Sequence, residues 1–187
     1  MAMTTEDRLA ALEAQMQDLL DRQAILECIK RNSRGNDRFD VEMITGSYHD
    51  DGVHELGERR ISGREYGEHA NHAHATLFEV TMHNVAMHSC EIDGDVAHAE
   101  SYNTGLFIDK GGETGRILAG RYIDRLERRD GEWRIVLRRA TVEVAIEGKA
   151  TLPTGAFLPG SHYLKGSRNR SDPAFERPLS LESGERW

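Results

Sequence analysis

Apolar residues recur at three- and four-residue spacing through Leu9, Leu12, Met16, Leu19, Leu20, Ile25, Leu26 and Ile29, which predicts an amphipathic helix from Thr4 or Thr5 to about Asn32. Glu6 and Asp7 sit in its first turn, where negative charge suits the helix dipole, and Asp18, Asp21, Arg22 and Lys30 lie off the apolar stripe. Its first half, up to about Asp21, is a candidate contact with another copy. The run SRGNDRFD, from Ser33 to Asp40, breaks the helix and leaves Asp37 at a joint; Asp40 then caps a short helix over Val41 to Tyr48. A turn at His49–Gly52 leads to a short strand at Val53–Leu56, and Gly63 precedes a second amphipathic helix from Arg64 to about Phe78.

Beyond that point the period changes to two. Val80 to Phe107 reads as two strands joined at Asp93-Gly94, a pair that tolerates the positive φ of a tight hairpin turn. With Ile92 opposite Asp95, Val85 meets Tyr102 and His83 meets Thr104. Alternation then gathers His83, Val85, Met87, His98, Glu100 and Tyr102 on one face, a parity that a bulge would shift. A second hairpin runs from Thr114 past Leu126 to a turn at Arg129-Asp130-Gly131 and returns from Trp133 to Ile146. If Leu126 faces Trp133, the buried face carries Tyr122, Leu126, Trp133, Ile135, Leu137 and Arg139, and the wet face Arg121, Arg125, Arg134 and Arg138. Arg139 becomes the exceptional charge, one that needs a carboxylate, a carbonyl or a ligand. Helices followed by antiparallel hairpins make an α+β arrangement, with helices on one face of a curved sheet. The domain is expected over residues 1–148. From Lys149 onward prolines and glycines replace periodicity, yet Phe157, Leu158, Tyr163, Leu164 and Phe175 predict that the 149–187 tail wraps over the domain or a neighbouring subunit.

Composition narrows the chemistry. A chain of 187 residues with 38% hydrophobic content can build one core, and a net charge of -8 disfavours nucleic acid or an anionic membrane as partner. Cys28 and Cys90, in helical and strand contexts, suggest neither a disulfide framework nor a zinc site. His69 and His72 share a helical face, but His74 points elsewhere and no HExxH accompanies them, so no metal is expected. Neither a P-loop nor GxGxxG is visible, which removes the usual nucleotide cofactors. The N-terminus lacks a basic region followed by an apolar core, and a cytoplasmic location is the default expectation.

Three segments, RNSRGNDRFDVEMITGSYHDDGVHEL, HNVAMHSCEIDGDVAHAESYN and GRYIDRLERRDGEWRIVLRRATVE, resemble the SnoaL-like group of the nuclear-transport-factor-2-like superfamily, over roughly Leu19 to Ala145. The resemblance implies a cone-shaped, curved antiparallel sheet of cystatin-like type with helices packed on its concave face. Members include scytalone dehydratase, a bile-acid dehydratase, a dehydrochlorinase, polyketide cyclases, a ketosteroid isomerase and lyases of lignin-derived aromatics, many of them cofactor-independent. They are often dimers or trimers.

In the dehydratase-like branch an aspartate after the first helix and a histidine early in the central hairpin form a dyad, and by motif position these resemble Asp37 and His83. A neutral imidazole takes a proton beside an activating group while a carboxylate holds its tautomer. Tyr102 and Arg139 are candidate donors to a substrate oxygen, with Tyr48, His54 and Tyr122 as further candidates on the walls. Relatives often place a tyrosine just before the aspartate, where this chain has Asn32, Ser33 and Asn36. The expected function is a cofactor-independent lyase, of dehydratase type and open to carbon-carbon cleavage, acting on a hydroxylated aromatic or polycyclic small molecule. An isomerase or cyclase, a ligand-binding module and a structural subunit like the small subunits of ring-hydroxylating dioxygenases are the alternatives.

Overall fold

A computed structural model describes residues 3–153, 159–160, 162–181 and 184–187. The chain begins with a long helix, α1 (Thr5–Arg38), whose N-terminus is closed by a capping box in which Thr4 and Asp7 exchange hydrogen bonds. The helix runs to Arg38 rather than to about Asn32, and it ends where Phe39 turns left-handed at φ 52°. Gly35 does not break it: a Cβ there would stand 2.7 Å from Ile44 Cγ1, so the glycine lets the next helix pack close. That helix, α2 (Val41–Thr45), is capped by Asp40, whose carboxylate accepts from the Met43 N–H at 3.0 Å. Strands β1 (Tyr48–Leu56) and β2 (Arg59–Ser62) follow, then α3 (Gly63–Leu77).

The long strands are β3 (Phe78–Asp93), β4 (Val96–Asp109), β5 (Thr114–Arg129) and β6 (Glu132–Ala140), with a short β7 (Val144–Lys149) folding back onto β5. They form a curved, unclosed seven-stranded sheet in the order β2-β1-β6-β5-β4-β3. Its ladders are antiparallel except that β1 runs parallel to β6. The expected single return strand to Ile146 is therefore two strands. They part at Thr141, whose carbonyl oxygen passes so close to Gly120 that no side chain fits there.

Helix α1 lies on the concave face. Ile25, Cys28 and Ile29 pack with Ile44, Tyr48, Leu126, Trp133 and Ile135 as the core. Leu9, Leu12, Met16, Leu19 and Leu20, in the half of α1 that projects past this core, are exposed. Both hairpins contain bulges. In the first, pairing slips between Val85 and His88, so that Met87 points outward; in the second it slips between Arg125 and Leu126 against the β6 stretch around Val136.

Part of the C-terminal segment crosses the joint between α1 and α2. Arg38 donates to the Ser167 carbonyl at 3.2 Å, and Arg170 pairs with Asp40 at 3.1 Å. Asp172 caps a short 3-10 turn at Pro173–Phe175, and the Phe175 ring lies under the guanidinium groups of Arg34 and Arg170. Phe157 and Leu158 lie outside the described residues. No helix among the described residues is long and apolar enough to cross a membrane.

Candidate active site

The last turn of α1 presents Asn32, Ser33, Asn36 and Asp37 to the interior, one polar stripe continuing the apolar one. Across from it, alternation along β3 turns Thr81, His83 and Val85 inward. The two rows meet at Asp37 and His83. Asp37 Oδ1 lies 2.7 Å from His83 Nδ1, and Oδ2 accepts the His83 backbone N–H at 2.8 Å. An ionised carboxylate only accepts, so the ring proton sits on Nδ1 and the Nε2 lone pair is left free. Both side chains are almost closed off from solvent, His83 at 9% and Asp37 at 11% exposure.

The imidazole is packed as well as hydrogen-bonded. Phe107 meets it edge-on at 5.4 Å between centroids, and His74 from α3 stacks beside it at 5.5 Å. Burial, with the neighbouring His83 adding to it, pushes the His74 pKa down to about 4, so this ring stays neutral at neutral pH. Around the pair, Ser33 Oγ, Asn36 Oδ1, Asn71 Oδ1, His74 Nδ1, Thr81 Oγ1 and Asn103 Oδ1 are buried with no hydrogen-bond partner among the described residues. Buried polar atoms are normally paired, so these mark where water or a polar ligand belongs.

Two of the other candidates from the sequence, Tyr102 and Arg139, lie on the outside. Tyr102 is on the outer face, 46% exposed, because the bulge between Val85 and His88 changes the pairing parity, so that His83 pairs with Gly105 rather than Thr104; the residue turned inward is Asn103. Arg139 is also outside, its guanidinium 3.0 Å from Glu55, because the second bulge exchanges it with Arg138. Arg138 is the buried arginine. It forms a forked pair with Asp124 at 2.8 and 2.7 Å, donates to Asn32 Oδ1 at 2.9 Å, and lies over the Tyr122 ring at 4.1 Å. Burial opposes its charge, but Asp124 more than restores it and the pKa rises. Tyr122 therefore faces inward as expected, against this pair, and burial raises its pKa. Tyr48 and His54 are buried and satisfy each other, Oη to Nδ1 at 2.8 Å, with Tyr66 stacked on His54 at 3.8 Å. Burial raises the Tyr48 pKa and lowers that of His54 to about 3.

Residues that the spacing did not single out are His74, Asn71 and Asn103. Asn71 and His74 are three apart on α3, which was the available signal.

The sequence model of the SnoaL-like domain matches residues 17–139. A function-unknown protein of Mycobacterium tuberculosis is 30% identical, with a TM-score of 0.60 over 67% of this chain and 77% of that one. A putative scytalone dehydratase of Novosphingobium aromaticivorans superposes with a TM-score of 0.65 at 17% identity, covering 74% of this chain and 97% of that one. A type 2 hexachlorocyclohexane dehydrochlorinase reaches 0.70 at 19% identity, covering 79% and 99%. Comparison with curated proteins returned no match.

Proposed function

The chain belongs to the SnoaL-like domain family, a scaffold of cofactor-free dehydratase and isomerase type, and from that premise we propose that it is a lyase eliminating water from a hydroxylated aromatic or polycyclic small molecule. The observation that carries the reading is the double hydrogen bond from His83 to Asp37. The free Nε2 takes a proton from carbon next to an activating carbonyl or phenol; Asp37 stabilises the imidazolium; the C–O bond breaks; and the same proton leaves with the hydroxyl as water. Phe107 and the neutral His74 exclude solvent from the ring, and the unpartnered groups of Ser33, Asn36 and Asn103 orient hydroxyl groups of the substrate. Tyr102 and Arg139, facing outward, have no part in this reading. The scytalone dehydratase and dehydrochlorinase likenesses support an elimination scaffold through their fold.

The test is a panel of hydroxylated aromatic and polycyclic alcohols, with product mass as readout, on the wild-type chain and His83→Ala. Loss of one water that disappears in the variant supports the lyase. An unchanged mass with a changed spectrum turns the reading to an isomerase or cyclase, and equal turnover in the variant removes His83. Assembly into a homo-oligomer, dimer or trimer, belongs to the same reading; support comes from Met82, Leu106, Ile117 and Ile146, which leave apolar surface exposed on the outer face. Sedimentation at micromolar concentration tests it, and a monomer would exclude it.

A further inference from the structure

We propose that the projecting half of α1 is an interaction surface for a second copy of this chain, the two helices pairing in parallel and in register along Leu9, Leu12, Met16 and Leu19. This contact is separate from the outer face of the sheet, and it does not depend on the reaction assigned to Asp37 and His83.

Asp21 marks where the helix leaves the domain. It is the first buried residue of α1, and its carboxylate accepts from Trp133 Nε1 at 2.9 Å and from Arg128 Nη1 at 2.8 Å. From Leu20 back to Thr5 the helix runs on for about 24 Å at its usual rise. Along that length Leu9, Leu12, Met16, Leu19 and Leu20 are each more than half exposed. By helical period the stripe lies roughly half a turn around α1 from Ile25, Cys28 and Ile29, which bury against the sheet. The domain is on the other side of the helix, and among the described residues nothing covers the stripe. A continuous apolar stripe left in water marks an interaction site.

The spacing names the occupant. Leu9, Leu12, Met16 and Leu19 fall at a, d, a and d of a heptad, the narrow seam of a two-stranded coiled coil, and Leu20 widens it at e. Arg8 and Arg22 fall at g, Glu13 and Glu27 at e. In a parallel pair each g residue faces the next e residue of the second copy, so Arg8 meets Glu13 and Arg22 meets Glu27, opposite charges both times. An antiparallel pair sets g against g and e against e, which brings arginine to arginine and acid to acid. Within one chain Arg22 already holds Asp18 at 2.8 Å and Glu27 holds Lys30 at 2.7 Å. Arg8 and Glu13 have no such partner among the described residues, so they carry the orientation. Glu6, Asp7 and Asp18 on the same segment disfavour an anionic membrane as the cover. An isolated helix this short is marginal in water, but α1 is nucleated by its buried half.

Oxidative crosslinking of the full chain carrying Leu9→Cys tests the pairing, with the wild type, whose free cysteines are Cys28 and Cys90, as background. In parallel register the two introduced thiols face each other across the seam within disulfide reach, whereas an antiparallel pair holds them far apart. A crosslinked dimer is expected, and adding Leu12→Glu is expected to slow its formation at least about tenfold. In the Leu9→Cys background, Arg8→Glu and Glu13→Arg are each expected to weaken crosslinking alone and to recover it when the two variants are mixed, because every g residue then meets an opposite charge again. All four positions are exposed, so circular dichroism is expected to stay unchanged. Crosslinking no greater than background, a crosslink that survives Leu12→Glu, or mixed variants that fail to recover overturns the proposal. An oligomer that persists without the crosslink belongs to the outer face of the sheet and overturns the helix pairing alone.

Discussion

Asp37 takes two hydrogen bonds from the same residue, His83, one from its backbone N–H and one from its ring, at 2.8 and 2.7 Å. The backbone bond pins the carboxylate, so the ring bond selects a tautomer instead of merely positioning a side chain. Asp37→Asn preserves shape, and its carbonyl oxygen can still accept from the backbone. Its amide N–H₂ then faces Nδ1 and drives the ring proton to Nε2, where proton abstraction is blocked. Turnover is expected to fall by about 10²- to 10⁴-fold with the fold intact. Nitrogen NMR of the imidazole reads the tautomer directly, and a variant that keeps the Nδ1–H form with full activity would remove Asp37 from the mechanism.

Arg138 and Arg139 are neighbours with opposite fates. Arg138 is fully buried in its fork with Asp124, while Arg139 is 57% exposed beside Glu55. Arg138→Met leaves Asp124 charged and alone, at a cost of about 3–5 kcal/mol. Arg139→Ala gives up an exposed pair worth about 1 kcal/mol or less. Urea unfolding separates them. Similar losses at the two positions would contradict the assignment of the buried charge to Arg138.

That pair also shows how far the sequence could be read. Period-two alternation located both hairpins, and an arginine among Trp and Leu was expected in the interior; one bulged residue moved the role by a single position. A bulge costs little and leaves no compositional mark, so parity counted from a turn fails beyond it. Tyr102 was displaced in the same way: moving the turn from Asp93-Gly94 to Gly94-Asp95 shifts the pairing by two and keeps its parity, and the bulge between Val85 and His88 is what turns Tyr102 outward. His83 kept its inward face because the turn shift and the bulge left its own alternation with Thr81 and Val85 intact. Asp37 was legible from its motif position even though its loop proved to be the end of a helix. Arg168, in the C-terminal segment, donates to the carbonyls of His74 and Phe78, about ninety positions away with no periodicity between them, and no local pattern encodes those contacts.

His54 and His74 give the fold a pH dependence. Their folded pKa values, about 3 and about 4, are lowered by burial from the ordinary 6.5. Above 6.5 both rings are neutral, folded or unfolded, and their contribution is fully present. As the pH falls from 6.5 towards 4, the unfolded chain binds protons that the folded chain refuses, and stability drops by about 1.4 kcal/mol per pH unit for each ring. Urea midpoints at pH 7 and pH 5 test this. His74→Gln is expected to shrink the difference between them by the share of one ring, and an unchanged difference would show that His74 is not held neutral by the fold.

Gly35 sets two local rules against each other. In a helix interior, alanine is favoured over glycine by about 1 kcal/mol. Here the added Cβ would lie 2.7 Å from Ile44 Cγ1 and 3.1 Å from both the Asp40 carbonyl oxygen and the Ile44 nitrogen. Ile44 is fully buried and the other two atoms are backbone, so none of the three swings aside cheaply. Overpacking of this kind costs about 1–3 kcal/mol and outweighs the propensity gain. Gly35→Ala is therefore expected to destabilise the chain, and by less in an Ile44→Ala background, where the closest contact is gone. A double-mutant cycle by urea unfolding measures that coupling. Additive losses would mean that α2 simply moves away from α1, and Phe39 and Asp40, between the two helices and next to Asp37, would be expected to move with it.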